Sequence, residues 1–504
     1  MKFKSMLKRF SAIALAGAIT IGTAICASAA DVQMSGFQPT AATGTLTVSS
    51  DGKYDVYKLY TAIPGNNAYT YEANSKYSSM LNGVTAKQLG KYDSAEVQNF
   101  LNTMMGKFSS SIAADYTIDG NSASTLPIGY YMVVQKSDAS VPGTVTSPLL
   151  VAIPSAADDQ WVYNVTKKPK SSSTSLTKKI IEDDTGNLVD TSNSKIGSDI
   201  NYQIDSTVPA YGDDIDKSKI TYKITDNPSK ALTVKMESVT VKMGDTKLTE
   251  KSHYNLIPNS DGGFSVDFDY SRLTPGATVT VTFAAALNQN AVINKNTGLT
   301  IADYTSVEDE NYNGTGNPNG ATLEYTNNYY TGTTSKIRDI VTSFTTMVGI
   351  EKIDEDDANT KLAATFGLYS DKDCTKLLES LTTDETTGTI HSSTLKPGTY
   401  YLQEMIAPEG YAISDAVYTI NVSATKNTSG EYDGTFVIKV NDSQLNNAIS
   451  IGDYQNVETL TITNVKGVKL PGTGGMGTAL FTIAGIGLMG TGAFLFLRRR
   501  MKKH

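Results

Sequence analysis

The 504-residue sequence predicts an all-β protein of tandem sandwich domains, with a minor helical insert in the first. Tyr, Val, Thr and Ile alternate with polar residues in runs such as Ile200-Asn201-Tyr202-Gln203-Ile204, Val239-Thr240-Val241 and Thr278-Val279-Thr280-Val281-Thr282-Phe283. Alternation at period two buries one face of each strand, which two packed sheets satisfy. Gly, Pro, Asn or Asp bound each run, as turns require. Helical periodicity is sparse, confined mainly to residues 75–108 with Leu81, Val84, Leu89, Val97, Leu101 and Met105.

The two ends read as addresses rather than fold. Residues 2–9 are basic, residues 10–25 are apolar, and Ala27-Ser28-Ala29 supplies small residues, so 1–29 is expected to be a secretory signal peptide. Cys26 leaves with it, and Ile25 stands where a lipoprotein signal needs a small residue. Cys374 is then alone, so no internal disulfide can hold a secreted chain together. At the far end residues 475–497 carry no charge and are long enough to cross a bilayer, with Arg498, Arg499, Arg500, Lys502 and Lys503 after them. Nine of the chain's basic residues lie in these two ends, and taking them from the net charge of −8 leaves −17 for the body. So acidic a body, without a basic stripe, argues against nucleic acid as a partner.

Composition places the internal boundaries. A Pro/Ser/Thr linker covers 167–174, just after the single tryptophan, Trp161, and a Gly/Thr-rich junction lies near 330–335. The expected domains are 30–170, 171–340 and 341–467, followed by a tail over 468–504. A weak repeat runs through them. Leu395-Lys396-Pro397-Gly398 feeds a strand ending in Glu404, Leu126-Pro127-Ile128-Gly129 feeds one ending in Gln135, and Leu273-Thr274-Pro275-Gly276 leads to Thr282.

In the third domain Tyr400, Leu402 and Glu404 share a face, as do Val348, Ile350 and Lys352, and Leu460, Ile462 and Asn464. A carboxyl, an amine and an amide thus point with apolar neighbours, which is costly unless they are paired or neutral. Burial strips the proton from a lysine and keeps it on a glutamic acid. A neutral amine is a nucleophile, and a protonated acid polarises an amide carbonyl. One outcome is attack of Lys352 on Asn464 with loss of ammonia; the other is a Lys352–Glu404 ion pair beside a hydrogen-bonded Asn464. Spacing alone leaves both open.

Several motifs carry a resemblance. Leu470-Pro471-Gly472-Thr473-Gly474, directly before the apolar span and basic tail, resembles the LPXTG sorting signal of Gram-positive surface proteins. That resemblance implies sortase cleavage between Thr473 and Gly474. Gly349-Ile350-Glu351-Lys352, Ala364-Thr365-Phe366-Gly367-Leu368-Tyr369, Tyr401-Leu402-Gln403-Glu404 with Ala407-Pro408-Glu409-Gly410-Tyr411, and Thr461-Ile462-Thr463-Asn464 resemble the collagen-adhesin B-type domain of pilins, an immunoglobulin-like sandwich. It implies a Lys352–Asn464 isopeptide bond promoted by Glu404. In the middle domain Leu176, Lys178 and Ile180 share a face, as do Leu323, Tyr325 and Asn327. With Tyr222-Lys223-Ile224-Thr225-Asp226 this is similar to the middle domains of major pilins, implying a Lys178–Asn327 bond promoted by Asp226. Lys179 and Asn328 are the alternatives, because a one-residue register change flips the face. Gln135 supplies no acid, so no bond of this type is expected in the first domain.

Trp161-Val162-Tyr163-Asn164-Val165-Thr166-Lys167-Lys168-Pro169-Lys170 resembles the pilin motif of sortase-polymerised shafts, departing from it at Lys167 and Lys168. It implies Lys170 as the acceptor amine for the next subunit's Thr473, with Pro169 keeping it on an exposed segment. Donor and acceptor in one chain join subunits head to tail into an open fibre. The resemblance as a whole is to major, shaft-forming pilins. It implies a non-enzymatic, cell-surface structural subunit supporting adhesion. The partners implied are a pilus-class sortase, identical subunits, minor pilins, a housekeeping sortase and peptidoglycan, with no cofactor. The alternative is a basal pilin or a monomeric wall-anchored adhesin.

Other constellations do not form sites. Asp354, Asp356 and Asn359 suggest a calcium loop, but its sixth position lacks Gly and Thr365 stands at the twelfth. His253 and His391 are isolated, so no metal is expected. Residues 314–320, with Asn317 and Asn319, read as a polar loop, since no Gly-Lys-Ser follows.

Overall fold

The computed structural model of the chain describes residues 35–467, apart from 67, 108–111, 137–140, 158–159, 184, 213–214, 294–315, 330–331 and 453. The signal peptide, the sorting pentapeptide and the apolar span therefore lie outside the described residues. The fold is all-β, with 56% strand against 7% helix. Its described residues divide into two compact units, one running up to 346 and including 424–436, the other made of 347–423 and the described residues from 437 on.

The first unit opens with two sheets. One is ordered Tyr69–Ala73, Lys53–Pro64, Gly129–Gln135, Leu149–Ile153, and Tyr116–Asp119 also pairs with Lys53–Pro64. The other is ordered Asn164–Lys167, Thr43–Val48, Ala123–Pro127. Leu46, Val48, Val56, Tyr131 and Val151 pack together in one core. The expected helical insert forms as the short helices Ser78–Leu81 and Ala86–Leu89 and the longer Ser94–Gly106. Met80, Leu89, Phe100 and Leu101 cover Tyr57, Leu59 and Tyr60. Thr85 and Gln88 form a reciprocal capping box that starts the second of these helices.

Two six-stranded sheets follow. One has the order Leu188–Val189, Leu176–Ile181, Asp199–Thr207, Thr278–Leu287, Leu232–Met243, Thr246–Lys247. The other has the order Thr191–Asn193, Thr333–Phe344, Asn317–Asn328, Tyr222–Pro228, Phe264–Phe268, Tyr254–Pro258. Alternation places Ile200, Tyr202 and Ile204 of the first sheet in one core with Tyr222, Ile224, Leu323 and Tyr325 of the second. The 314–320 polar-loop expectation is corrected here. From Asn317 on the chain is strand, and Asn317 and Asn319 are wholly buried. Asn317 repays its burial with hydrogen bonds to Val292 N, Val292 O and Ser343 O.

In the second unit a four-stranded sheet has the order Thr389–His391, Gly349–Asp354, Tyr454–Asn464, Ala448–Ile451. Its companion begins Leu377–Thr382, Thr365–Tyr369, Gly398–Ile406, Val417–Lys426. Gly349–Asp354 and Tyr454–Asn464 run parallel, so the unit's first and last long strands are neighbours. Gly349 permits the approach, for a Cβ there would meet Thr459 Oγ1 at 2.3 Å. The parallel register sets Lys352 opposite Ile462 and Asp354 opposite Asn464.

Candidate functional site

The middle sandwich holds a buried amine, acid and amide between its sheets. Lys178, 0% exposed on Leu176–Ile181, is hydrogen-bonded by Nζ to Asp226 Oδ1 and to Gly320 O at 2.9 Å. Its Nζ also lies 5.3 Å from the ring centroids of Tyr202 and Phe283, which stack on each other at 5.2 Å. Asp226 is equally buried, and its Oδ2 has no hydrogen-bond partner. Burial pushes the amine down, against the pull of Asp226, and pushes the Asp226 carboxyl up, against the pull of Lys178. Both shifts favour the uncharged pair that nucleophilic attack requires.

The structure does not bring Asn327 to this centre. Asn327 stands seven residues beyond Gly320 on the same strand, about 23 Å at the rise of an extended chain. Its Oδ1 accepts a hydrogen bond from Thr333 Oγ1 at 3.0 Å. The alternatives are also elsewhere: Lys179 pairs with Asp190, and Asn328 Nδ2 donates to Gln135 O at 3.5 Å. The amide beside Lys178 and Asp226 is Asn319, next in chain to Gly320, 0% exposed, with neither side-chain atom hydrogen-bonded. Asn319 also acts on the Asp226 carboxyl, opposing its rise. Same-face parity was the available signal, since 319, 321, 323 and 325 alternate with Asn327. Parity selects a face but not a position along it, and Asn-Pro-Asn-Gly reads as a turn.

In the second unit the acid engages the amide instead. Asn464 Nδ2 donates to Glu404 Oε1 at 2.8 Å, Glu404 Oε2 at 3.0 Å and Ala412 O at 3.0 Å, while its Oδ1 has no partner. Ser414 N donates to Glu404 Oε2 at 2.8 Å. Lys352, 0% exposed, reaches only backbone carbonyls: Ile353 O at 3.2 Å and Ile462 O at 3.3 Å. Burial pushes its amine down to about 8, with Glu404 and Asp354 pulling the other way. Glu404 and Asn464 are buried. The Asp354 carboxylate accepts from Tyr411 Oη, Lys466 Nζ and the amides of Asp356 and Asp357.

Lys170 differs from expectation. Asn164–Lys167 pairs in parallel with Thr43–Val48, Trp161 packs edge-on against Tyr69 at 5.0 Å, and Pro169 is buried. Lys170 O accepts from Ser147 N at 2.8 Å, leading into the Ser171–Ser173 strand paired with Thr144–Thr146. Its Nζ is buried without a hydrogen-bond partner, and burial pushes the amine down. The exposed presentation expected for Lys170 is therefore corrected: packing around the linker covers the amine, whereas neighbouring Lys168 is exposed. Leu470, Pro471, Gly472, Thr473 and Gly474 lie outside the described residues.

Known proteins match this fold and its C-terminal flank. The SpaA prealbumin-like fold domain matches residues 346–435, and the LPXTG cell wall anchor motif matches residues 462–504. The trypsin-resistant surface T6 protein of Streptococcus pyogenes serotype M6 is 25% identical over 324 residues, which are 59% of this chain and 55% of that relative's length. This chain thus spans about half the length of that curated relative. Among solved structures, the three-domain T6 backbone pilin of serotype M6 Streptococcus pyogenes superposes with TM-score 0.58 at 18% identity, covering 85% of this chain and 98% of that one. The full-length major pilin SpaD of Corynebacterium diphtheriae gives 0.51 at 18% identity, covering 86% and 99%. This chain is an LPXTG-anchored cell-surface protein, homologous to the T6 surface protein and built on the fold of the major pilins of Gram-positive bacteria.

Proposed function

We propose that the chain is the shaft subunit of a covalently polymerised pilus, stiffened by two internal isopeptide bonds. In each of two sandwiches the Lys Nζ attacks the Asn Cγ, the N–C bond forms, the Cγ–Nδ2 bond breaks, and ammonia leaves. The carboxyl takes the amine proton and returns one to the departing nitrogen. The pairs are Lys352 with Asn464, promoted by Glu404, and Lys178 with Asn319 rather than Asn327, promoted by Asp226. The observation that carries this reading is the amine, acid and unpartnered amide oxygen gathered in each dry core. By analogy with a disulfide, each closes a loop of over a hundred residues and stabilises by about 4–5 kcal/mol. Three domains, 30–170, 171–340 and 341–467, then act as structural modules and not as an enzyme acting by turnover.

Sortase would pass the Thr473 carbonyl to Lys170 of the next copy, with minor pilins, housekeeping sortase and peptidoglycan as further partners, and the fibre would serve adhesion. The buried Lys170 amine favours a second reading, a basal pilin or lone wall-linked adhesin joined only through Thr473. Detergent-resistant ladders of surface protein that vanish with Lys170→Ala support the shaft. A single wall-linked species indifferent to that change supports the lone adhesin.

A further inference from the structure

We propose that the Tyr202 hydroxyl is a catalytic hydrogen-bond donor in the middle crosslinking reaction, stabilising the oxyanion that forms on Asn319 Oδ1. This rests on the reading that Lys178 bonds to Asn319.

Tyr202 is 1% exposed in the core strand Asp199–Thr207, yet its hydroxyl has no hydrogen-bond partner. Leaving a buried phenol unpaired is costly, and three other buried tyrosines of this sandwich avoid it. Tyr222 Oη pairs with Ser206 Oγ at 2.6 Å, Tyr270 Oη donates to Pro209 O at 2.7 Å, and Tyr325 Oη accepts from Gly143 N at 2.9 Å. Among the described residues Tyr202 is the tyrosine whose hydroxyl is enclosed without a partner, and its ring lies beside the Lys178 amine.

The polar side chains acting on its hydroxyl are Ser343 and Asn319, with the Asp226 charge nearby. Asn319 Oδ1, Asn319 Nδ2 and Asp226 Oδ2 are unpartnered as well. One buried space thus holds a free donor, a free amide and a free carboxyl oxygen before reaction. Such a set is poorly matched to the ground state and well matched to a state in which charge has moved onto the amide oxygen. Stacking on Phe283 fixes the ring. Burial also pushes the phenol far above its ordinary value, so it remains a donor and not a base.

When Lys178 Nζ attacks Asn319 Cγ, the carbonyl electron pair moves to Oδ1, where the Tyr202 hydroxyl donates. Asp226 takes the amine proton and delivers one to Nδ2. The Cγ–Nδ2 bond then breaks, ammonia leaves, and Oδ1 regains its double bond. Tyr202 keeps its proton throughout.

The test uses the full chain made by cell-free synthesis, with samples denatured at intervals and digested. The Lys178–Asn319 branched peptide is quantified against the Lys352–Asn464 branched peptide as an internal clock. In a folded Tyr202→Phe chain the middle bond should form on the order of a hundredfold more slowly, with the clock unchanged. Formation at the wild-type rate would overturn the role of Tyr202 while leaving the crosslink itself intact. Absence of the Lys178–Asn319 peptide from the wild-type chain would remove both readings. Should Tyr202→Phe not fold, 3-fluorotyrosine at 202 decides: this near-isosteric, stronger donor should speed the middle bond, and an equal or lower rate would overturn the proposal.

Discussion

The two candidate centres use the same three functional groups but pair them differently. In the middle sandwich the carboxyl is bonded to the amine, and the amide is left without partners. In the second unit the carboxyl is bonded to the amide nitrogen, and the amine rests on backbone carbonyls. In the proposed reaction a single carboxyl accepts a proton from the attacking nitrogen and gives one to the leaving nitrogen. The middle centre is arranged for the first task and the C-terminal centre for the second. On that proposal, the local packing around each acid sets which half of the proton transfer is prepared in advance.

The largest test of this contrast removes the acids. Asp226→Ala should abolish the middle bond and leave the neutral Lys178 amine without its hydrogen-bond partner in a dry core, costing about 1–3 kcal/mol in addition to the lost loop closure. Glu404→Ala should abolish the C-terminal bond and take an acceptor from Ser414 N and from Asn464 Nδ2, which keeps Ala412 O, costing about 1–3 kcal/mol. Intact mass reports the bonds as ammonia lost, and thermal unfolding reports the destabilisation. Retention of either bond in its acid variant would show that the acids are not engaged as described.

The choice of amide comes next. Asn319→Ala should retain one ammonia that the wild-type chain loses, whereas Asn327→Ala should have unchanged mass. The reverse pattern would restore Asn327 and move the middle centre to the other end of its strand.

The pH response separates the centres further. Bond formation at Lys352 should quicken as the pH rises toward about 8, where its amine loses its proton. The middle centre, whose proton is shared inside the Lys178–Asp226 pair, should form its bond at a rate flat across that range. In an Asn464→Ala chain Lys352 stays an amine. Its folded value of about 8 lies below the ordinary 10.5, so between the two the unfolded chain binds more protons. Stability should therefore rise with pH across that window, as denaturant titrations at several pH values would read.

The smallest expected effect is at Phe283, which stacks under the Lys178 amine. Phe283→Leu should cost under about 1.5 kcal/mol and still allow the middle bond. Full loss of that bond would mean the ring itself takes part.

Much of this arrangement is legible in the sequence. Period-two alternation identified the strands, and same-face grouping marked Lys178, Lys352, Glu404 and Asn464 as polar side chains on apolar faces, where all four are found buried. Asn319 was not legible, because its neighbours Pro318 and Gly320 carry the composition of a turn while long-range pairing with Tyr222–Pro228 holds them in a strand. The covering of Lys170 was not legible either. Whether a lysine after a proline reaches water depends on what packs around the linker, including the strand Thr144–Thr146 that pairs just beyond it.

By itself the sequence determined the all-β class, the anchoring motif and the set of groups that chemistry would need, because alternation, charge and short motifs are local properties of the chain. Only the tertiary structure decided which amide meets which amine, which buried tyrosine is left with an unsatisfied hydroxyl, and whether an amine is covered. Those outcomes depend on the register between strands distant in the chain and on how sheets face one another, and no local pattern encodes either.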